Sequence, residues 1–457
     1  MNTIQNLKMA IPPIPSSVPE RSNLNASHAP ATHCLRQIVV FQQHWTQDLL
    51  RSWQRESAIS RVAHTSDFQI SSWNNINTRD ADLLIFDRLG VALLNLEDQD
   101  QLQWIRERTR RKRAIESMRP ESRMSVLDTD TQPALPEISE RFFSDFSREC
   151  HLRHQKSSST RDLWKGFSDS RRGTWAIHAI GLTQSRNNGS GSKIAILDTG
   201  IDFQHPDWQD REIFHRSFVG KSAQDDHGHG TQCAGLACGH PSSSNQARFG
   251  AAPKSDLYVA KVLESDGSGP DSAILAGIDW AMGQGCHVLS LSVGVQSSNL
   301  MPDPVYETVA QRCLKSGMLF IAAAGNDSHR PNLIRPVCRP ANCHSIFAVA
   351  AVDRYLRLAP FSNGTAFPGH CQIDGVAPGV DVLTTNLGPK PYSRCSGTSM
   401  AAPICAGVAA AFVQEDADCL GNALWQKLSA YARRLMHNST DVGNGLICFR
   451  SKKSFPI

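Results

Sequence analysis

Five short apolar runs follow one another in the second half of the chain, and segments with helical periodicity accompany them. The runs are rich in Val, Ile and Leu, which suits strands buried on both faces. The alternation of such strands with helices predicts an α/β fold with a doubly wound, mostly parallel sheet. The runs cover residues 193–197, 256–263, 288–293, 318–324 and 346–352, and the helical patterns cover residues 271–282, 304–315 and 422–435.

The first third of the chain has a different pattern and predicts a second, smaller domain. Residues 1–34 are rich in Pro, Ser and Asn, and we expect a disordered tail. Residues 35–120 predict the order β-α-β-β-α-β of an α+β, ferredoxin-like domain. The polar stretch 121–172 is then a linker, and residues 173–450 form the main domain. Within 35–120 the expected elements are a strand at 37–41, a helix at 45–61, two strand segments in 82–96, a helix at 98–106 and a strand at 114–118.

Charge and hydrophobicity exclude several classes of partner. A net charge of +4 over 457 residues gives no argument for binding to nucleic acid. No stretch approaches the roughly 18 apolar residues of a membrane span. The apolar run after Lys8 stops at Pro12, so no signal peptide is recognised, which slightly favours a cytoplasmic location over secretion.

The 13 cysteines are scattered and favour free thiols, although a loop disulfide between Cys338 and Cys343 is an alternative.

Two polar motifs follow apolar segments in the first half of the main domain. The apolar run at 193–197 ends in Asp198-Thr199-Gly200, and sites in open α/β sheets gather at the carboxyl ends of strands. Taken alone, Asp198 could equally cap a turn. The second motif places His229 between two glycines and near Cys233, which also suggests a metal site. No second compact cluster of ligands accompanies it, which argues against zinc.

Two further motifs complete the pattern. Ser399 precedes a small, apolar helix, and Pro403 is expected in the first turn of that helix. A serine at a helix N-terminus lies where free N–H groups favour negative charge, although it could also serve only as a cap. Asn326 follows the apolar run at 318–324, so its amide could donate to a developing oxyanion or belong to an ordinary turn.

Together and in this order, the four motifs closely resemble the subtilisin-like serine protease family. The family's Asp-Thr-Gly, His-Gly-Thr and Gly-Thr-Ser-Met-Ala motifs stand at Asp198, His229 and Ser399, in the chain order of subtilisin itself. The resemblance extends from about residue 174 to about residue 449, and residues 89–92 resemble part of the family's N-terminal propeptide. Gln232 and Ile404 stand where the family usually has histidine.

The resemblance implies a role for each of these residues. Ser399 would be the nucleophile, His229 the general base and Asp198 the residue that orients it, with Asn326 and the Ser399 N–H stabilising the oxyanion. The substrate would pair with Ser292, Val293 and Gly294 as an added strand, and Ala323, Ala324 and Gly325 would line its specificity pocket. No cofactor is required. Asp207 matches a frequent calcium ligand, but the loop 239–248 matches poorly and leaves calcium open.

The sequence therefore predicts a serine endopeptidase that acts on proteins or peptides. Its own N-terminal domain would be an intramolecular inhibitor, with the end near residues 118–120 lying along residues 292–294. The alternative for the N-terminal domain is a permanent accessory domain.

The alternative for the function is a non-catalytic peptide-binding protein on a protease scaffold. The intact His229-Gly230-Thr231 argues against a serine-carboxyl peptidase, which uses Glu in place of His. Small residues suggest an apolar specificity pocket, although Asp327 could admit a basic side chain.

Overall fold

The structure is a computed structural model, and it describes nine segments of the chain together with single residues at 51 and 54. The segments are 35–41, 59–67, 81–112, 115–127, 166–183, 185–240, 247–296, 301–365 and 372–450, with the side chains of 108–112 left out. The strands are β1 Leu35–Phe41, β2 Val62–His64, β3 Leu83–Phe86, β4 Val91–Leu96, β5 Ile115–Pro120, β6 Arg123–Val126, β7 Lys193–Asp198, β8 Ile213–Ser217, β9 Asp256–Lys261, β10 Ser268–Pro270, β11 Val288–Leu291, β12 Val293–Gly294, β13 Leu319–Ala323, β14 Phe347–Val352, β15 Gly375–Pro378, β16 Val382–Thr385 and β17 Tyr392–Cys395. The helices are α1 Gln99–Lys112, α2 Trp175–Ala179, α3 His229–Cys238, α4 Asp271–Gly283, α5 Pro304–Lys315, α6 Thr398–Glu415, α7 Asn422–Tyr431 and α8 Ser439–Val442.

The main domain is built on a seven-stranded sheet in the order β15-β14-β13-β11-β7-β9-β8. Every pair of neighbours in this sheet is parallel. The chain leaves β7 on one side to form β8 and β9, and then crosses to the other side to form β11. The strand order therefore reverses between β7 and β11, which is where open α/β sheets place their sites.

The predicted α/β fold is confirmed, because the five apolar runs form β7, β9, β11, β13 and β14. Their side chains are buried almost throughout. The sequence did not predict β8 or β15. Strand β8 lies at an edge and contains His215 and Arg216, while β15 is four residues long and ends in Pro378, so neither forms an apolar run.

The small domain has a mixed five-stranded sheet in the order β2-β3-β4-β1-β5. Side chains alternate along β1, as the period of a strand requires. Ile38 and Val40 join the core of the main domain, whereas Val39 and Phe41 pack toward α1. The sheet thus lies between its own helix and the main domain. The strand Val62–His64 was not predicted, and most of the helix predicted at 45–61 lies outside the described residues.

The segment that joins the small domain to the main domain differs from the prediction. Residues 118–120 do not lie along residues 292–294, because they belong to β5 and pair with β1. Strand β6, which was assigned to the linker, takes that place instead: it pairs antiparallel with both β12 and β10. The cause is that β5 runs on to Pro120 in its pairing with β1, so the chain becomes free to enter the main domain only after that residue.

Two other sequence predictions concern membranes and cysteines. No helix in the described part of the chain is long and apolar enough to cross a membrane. The described cysteines are free thiols, and these include Cys338 and Cys343, so the alternative of a disulfide between them is not realised. The predicted tail 1–34 lies outside the described residues.

Candidate active site

Asp198 and His229 form a buried, hydrogen-bonded pair at the carboxyl end of β7. The Nδ1–H of His229 donates to Oδ1 of Asp198 over 2.8 Å. Burial by itself lowers the pKa of His229, but the Asp198 carboxylate outweighs it and holds this pKa well above the ordinary value of 6.5. The other ring nitrogen, Nε2, is buried and has no hydrogen-bond partner among the described residues. This nitrogen can therefore accept a proton from a neighbouring group.

Asp225 fixes the loop that carries His229, and the sequence analysis did not assign it a role. Its buried carboxylate accepts hydrogen bonds from three backbone N–H groups and two threonine hydroxyls. The donors are the N–H groups of His227 (3.0 Å), Gly228 (2.8 Å) and Thr231 (2.9 Å), and the hydroxyls of Thr231 (2.6 Å) and Thr199 (2.9 Å). Burial raises the pKa of Asp225, but these donors outweigh it and lower the pKa below its usual value.

Gly230 lets the start of α3 approach the end of β7. A Cβ at this position would overlap the carbonyl oxygen of Gly200 and crowd the backbone nitrogen of Thr199. The N–H of Gly230 donates to the Thr199 hydroxyl over 2.8 Å, which ties the two motifs together. The glycine after His229 is thus required by close backbone packing.

Ser399 lies in the first turn of α6, and its backbone carbonyl is held by groups from other elements. Pro403 was expected in the first turn, but the structure places it inside the helix, as the sixth residue from Thr398. Because proline has no N–H, the carbonyl of Ser399 receives no helical hydrogen bond. It accepts from the hydroxyl of Ser292 over 2.9 Å and from the thiol of Cys233 over 3.5 Å.

Asn326 lies just beyond β13, with its amide fixed at both ends. Its Oδ1 accepts from the N–H and the hydroxyl of Thr398, each over 2.9 Å. This leaves Nδ2 as the donor, and it donates to the carbonyl oxygen of Leu127 over 2.6 Å.

The carbonyl of Leu127 is the point where the site residues meet. Its oxygen also accepts from Oγ of Ser399 over 2.7 Å. Gly397 borders this contact at a φ of 154°, and a Cβ there would lie 3.2 Å from Nδ2 of Asn326 and 3.7 Å from the Leu127 oxygen. A side chain at Gly397 would therefore intrude on the space around the carbonyl.

Residues 123–127 occupy the cleft as an added strand. Val126 lies opposite Val293 and Ser125 opposite Gly294, while Gly269 faces Met124 from the other side. Beyond the strand, the N–H of Leu127 donates to the carbonyl of Ser292 over 3.4 Å. The chain segment is thus paired on both edges, as an extended peptide is in strand addition.

Cys338 and Asn363 lie beside the predicted specificity residues, and the sequence gave neither of them a role in the site. A Cβ on Gly294 would lie 3.3 Å from Cδ2 of Leu127 and 3.2 Å from Cβ of Cys338. Asn363 donates to Oδ2 of Asp327 over 3.1 Å, so the Asp327 carboxylate is already engaged. Ala323, Ala324 and Gly325 are buried, and Gly325 borders Cys338 and Asn363. The lining role of the two alanines stays a prediction.

Two possible metal positions give no complete ligand set among the described residues. Asp207 is buried, and its carboxylate accepts from the Tyr392 hydroxyl and lies 4.0 Å from His205. A phenol and an imidazole are not the six to eight oxygens that calcium prefers, and residues 241–246 of the loop expected to complete the site lie outside the described residues, so calcium binding at Asp207 stays a prediction.

The second position is the cluster of Asp198, His229 and Cys233. Burial raises the pKa of the Cys233 thiol to about 11, so it is protonated near neutral pH, whereas a metal-binding cysteine is a thiolate. In addition, Nδ1 of His229 is already bound to Asp198. The cluster therefore favours an aspartate–histidine pair over a metal centre.

Comparison with known proteins identifies the class to which this site belongs. The model of the subtilase family matches residues 189–450, and the chain therefore belongs to the subtilase family of serine endopeptidases. It is 36% identical over 278 residues to a thermostable alkaline protease of Halalkalibacterium halodurans, covering 60% of this chain and 71% of the relative. It is 36% identical over 271 residues to subtilisin BL of Lederbergia lenta (59% and 89%), and 34% identical over 275 residues to subtilisin E of Bacillus subtilis (60% and 67%).

The role of Asp225 generates a stability prediction. Asp225→Ala leaves its buried donors without an acceptor, and we expect a loss of more than about 3 kcal/mol in the free energy of unfolding. Denaturant unfolding of the full chain, in a Ser399→Ala background that prevents self-digestion, measures it. Asp226→Ala is the matched control, because Asp226 is adjacent and exposed. Equal unfolding midpoints for the two variants would contradict the role given to Asp225.

Proposed function

We propose that the chain hydrolyses peptide bonds with Asp198, His229 and Ser399 as its catalytic triad and Asn326 as an oxyanion donor. The observation that carries this proposal is the carbonyl of Leu127, which accepts from both the Ser399 hydroxyl and the Asn326 amide. A carbonyl held by a nucleophile and by a donor is in the position of a scissile carbonyl.

In the reaction, Oγ of Ser399 attacks the carbonyl carbon and its proton passes to Nε2 of His229. The hydrogen bond from Nδ1 to Asp198 keeps the lone pair of the neutral ring on Nε2 and stabilises the imidazolium that forms. The Ser399 hydroxyl donates to Leu127 in the structure, so its hydrogen must turn toward Nε2 before attack. His229 then returns the proton to the leaving amine, and water releases the acyl group from Ser399 by the reverse sequence.

Two donors would stabilise negative charge on the carbonyl oxygen. Nδ2 of Asn326, which donates to the Leu127 oxygen, is one, and the backbone N–H of Ser399 at the start of α6 is proposed as the second. Because Thr398 binds Oδ1 of Asn326 from two sides, the amide does not need to reorient as charge develops.

The first substrate of this enzyme is its own chain, and the bond cut is Leu127–Asp128. Leu127 lies in the position of the residue before the scissile bond, with residues 123–126 paired to the cleft. After cleavage the small domain remains as an inhibitor that fills the cleft with its own product end. The apolar surroundings of Leu127 support a preference for leucine-like residues before the cut. The engaged Asp327 carboxylate argues against a basic one.

Loss of the nucleophile tests the reaction class. In Ser399→Ala we expect no labelling by a fluorophosphonate probe and no casein hydrolysis, since loss of the serine costs subtilisin about 10⁶ in turnover. Thermal unfolding is run beside the assay to show that the variant is folded. Hydrolysis that persists in Ser399→Ala would show that Ser399 is not the nucleophile. A folded wild type that binds peptides but is never labelled would match a non-catalytic peptide-binding protein.

The oxyanion role of Asn326 predicts a specific kinetic defect. Asn326→Ala should lower kcat by about 10²–10³, the loss known for this donor in subtilisin, with little change in KM. Thr398→Val is the comparison, since it removes a hydrogen bond to Asn326 but leaves the donor in place, and a much smaller loss is expected. A raised KM at unchanged kcat would instead assign Asn326 to ground-state binding.

The raised pKa of His229 sets the pH dependence of activity. The base must be neutral, and the Asp198 carboxylate favours the charged imidazolium, so more alkaline conditions are needed to deprotonate it. We expect kcat/KM to rise with pH through a midpoint above 6.5. In Asp198→Asn the midpoint should move to lower pH, on top of a rate loss of roughly 10⁴. An unmoved midpoint in Asp198→Asn would show that another group controls the profile.

A further inference from the structure

A buried carboxylate lies at the far end of the cleft, away from the catalytic residues. Asp271 is the first residue of α4, and its side chain is 0% exposed. Its Oδ2 accepts from the N–H and the hydroxyl of Ser122, each over 2.8 Å, and from the guanidinium of Arg119 over 2.6 Å. Its Oδ1 accepts from the Tyr306 hydroxyl over 3.0 Å.

A second carboxylate shares the same guanidinium. Asp303 caps the start of α5 and accepts from Nε of Arg119 over 2.9 Å. It also accepts from Arg339 over 3.1 Å, and Arg339 in turn donates to the Ser122 hydroxyl. The side chain of Arg119 therefore lies between two carboxylates of the main domain and is only 20% exposed.

The donors come from the chain just before the segment that occupies the cleft: Arg119 lies in β5 of the small domain, and Ser122 lies between β5 and β6. Counting back from Leu127 as the first residue before the cut, Ser122 is the sixth and Arg119 the ninth. Strand β6 carries the segment along β10 and β12, and the N–H of Asp271 donates to the carbonyl of Ser122 over 2.9 Å. The site is thus continuous with the cleft that holds the peptide backbone.

The charges of this site are balanced only while the segment is bound. Of the hydrogen bonds described for the Asp271 carboxylate, that from Tyr306 alone comes from the main domain. Burial raises the pKa of Asp271, but the Arg119 charge outweighs it and holds the pKa below its usual value. A buried carboxylate that has lost such partners is strongly stabilised by any chain that again supplies a cation and a hydroxyl. Arg339 stays hydrogen-bonded to Asp303, and its charge also acts on Asp271, so one cation then serves two carboxylates.

We propose that Asp271 and Asp303 form an extended substrate subsite, which selects polypeptides with a hydroxyl residue six positions and an arginine nine positions before the cut bond. The inference rests on the proposed endopeptidase function and adds a recognition element beyond the catalytic residues. The ligand class is a basic polypeptide segment, for which the residues around Arg119 are the internal example. Selection acts on substrate binding and leaves the chemistry at Ser399 unchanged.

The test compares peptides that share one cleavage site. A long peptide carries residues 118–131 of this chain, a short one carries residues 123–131, and two long variants carry Arg119→Ala or Ser122→Ala. Each is hydrolysed by the self-cleaved full chain, and titration with a fluorophosphonate probe counts only the active sites from which the small domain has dissociated. We expect kcat/KM for the long peptide to exceed that for the short one by about tenfold or more, since a hydrogen bond to a charged group is lost with each truncated donor.

The ratio of kcat/KM for the long peptide to kcat/KM for the short peptide should fall toward one in Asp271→Asn. It should stay at the wild-type value in Asp256→Asn, since the Asp256 carboxylate is exposed at the start of β9. If Asp271→Asn does not fold, the two variant peptides carry the test alone, each expected to lose most of the advantage. Equal cleavage of all peptides would overturn the inference while leaving the endopeptidase intact, and would assign Asp271 to the contact with the small domain. Absence of labelling and of any cleavage would instead reject the proposed function.

Discussion

The parallel pairing of β7 with β11 is the constraint on which the rest of the site depends. Ile194 lies opposite Val288 and Leu197 opposite Leu291, so both strands end at the same edge of the sheet. Asp198 closes one strand and Ser292 follows the other. Because the strand order reverses at this pair, the edge is open, and α3 and α6 bring His229 and Ser399 to it. Cys233, which contacts both His229 and the Ser399 carbonyl, marks where these two helices meet.

The site keeps several polar groups away from water, and each is compensated by fixed neighbours. Asp225 is balanced by backbone donors, Asn326 by Thr398, and Asp271 by the segment in the cleft. A buried polar group with satisfied hydrogen bonds holds one orientation, because leaving it unpaired is costly. The first two compensations are permanent parts of the main domain. The third depends on the segment in the cleft, which we propose is cut from the main domain after Leu127.

Much of the fold could be predicted because it depends on local pattern. The strands of the main sheet are apolar runs, and Asp198, His229, Asn326 and Ser399 stand in short motifs whose order is informative. The edge strand β8 and the short β15 lack such runs. Asp225 was missed because its role depends on burial and on five hydrogen bonds, and an Asp in a polar loop shows neither. Pro403 was placed too early, since the sequence does not show that side chains from elsewhere satisfy the Ser399 carbonyl.

The sequence predicted that a segment of the N-terminal region lies in the cleft, but it placed that segment at residues 118–120 and not at residues 123–127. The predicted small domain ends at residue 120, whereas the strand that enters the cleft, Arg123–Val126, has only two apolar residues and is defined by pairing on both edges. No local signal marks Leu127 or the pair of carboxylates that hold Arg119. Contacts between distant parts of the chain define these features, and the proposed self-cleavage rests on them.

In the proposed function, the carbonyl of Leu127 lies in the reacting position of an active protease. Intact-mass spectrometry of the purified full chain, beside its Ser399→Ala variant, shows whether the bond after Leu127 is cut. We expect the wild type to separate into residues 1–127 and 128–457, while Ser399→Ala stays whole. A wild-type chain that is labelled by a fluorophosphonate probe yet stays uncut, or that is cut at another bond, would contradict it.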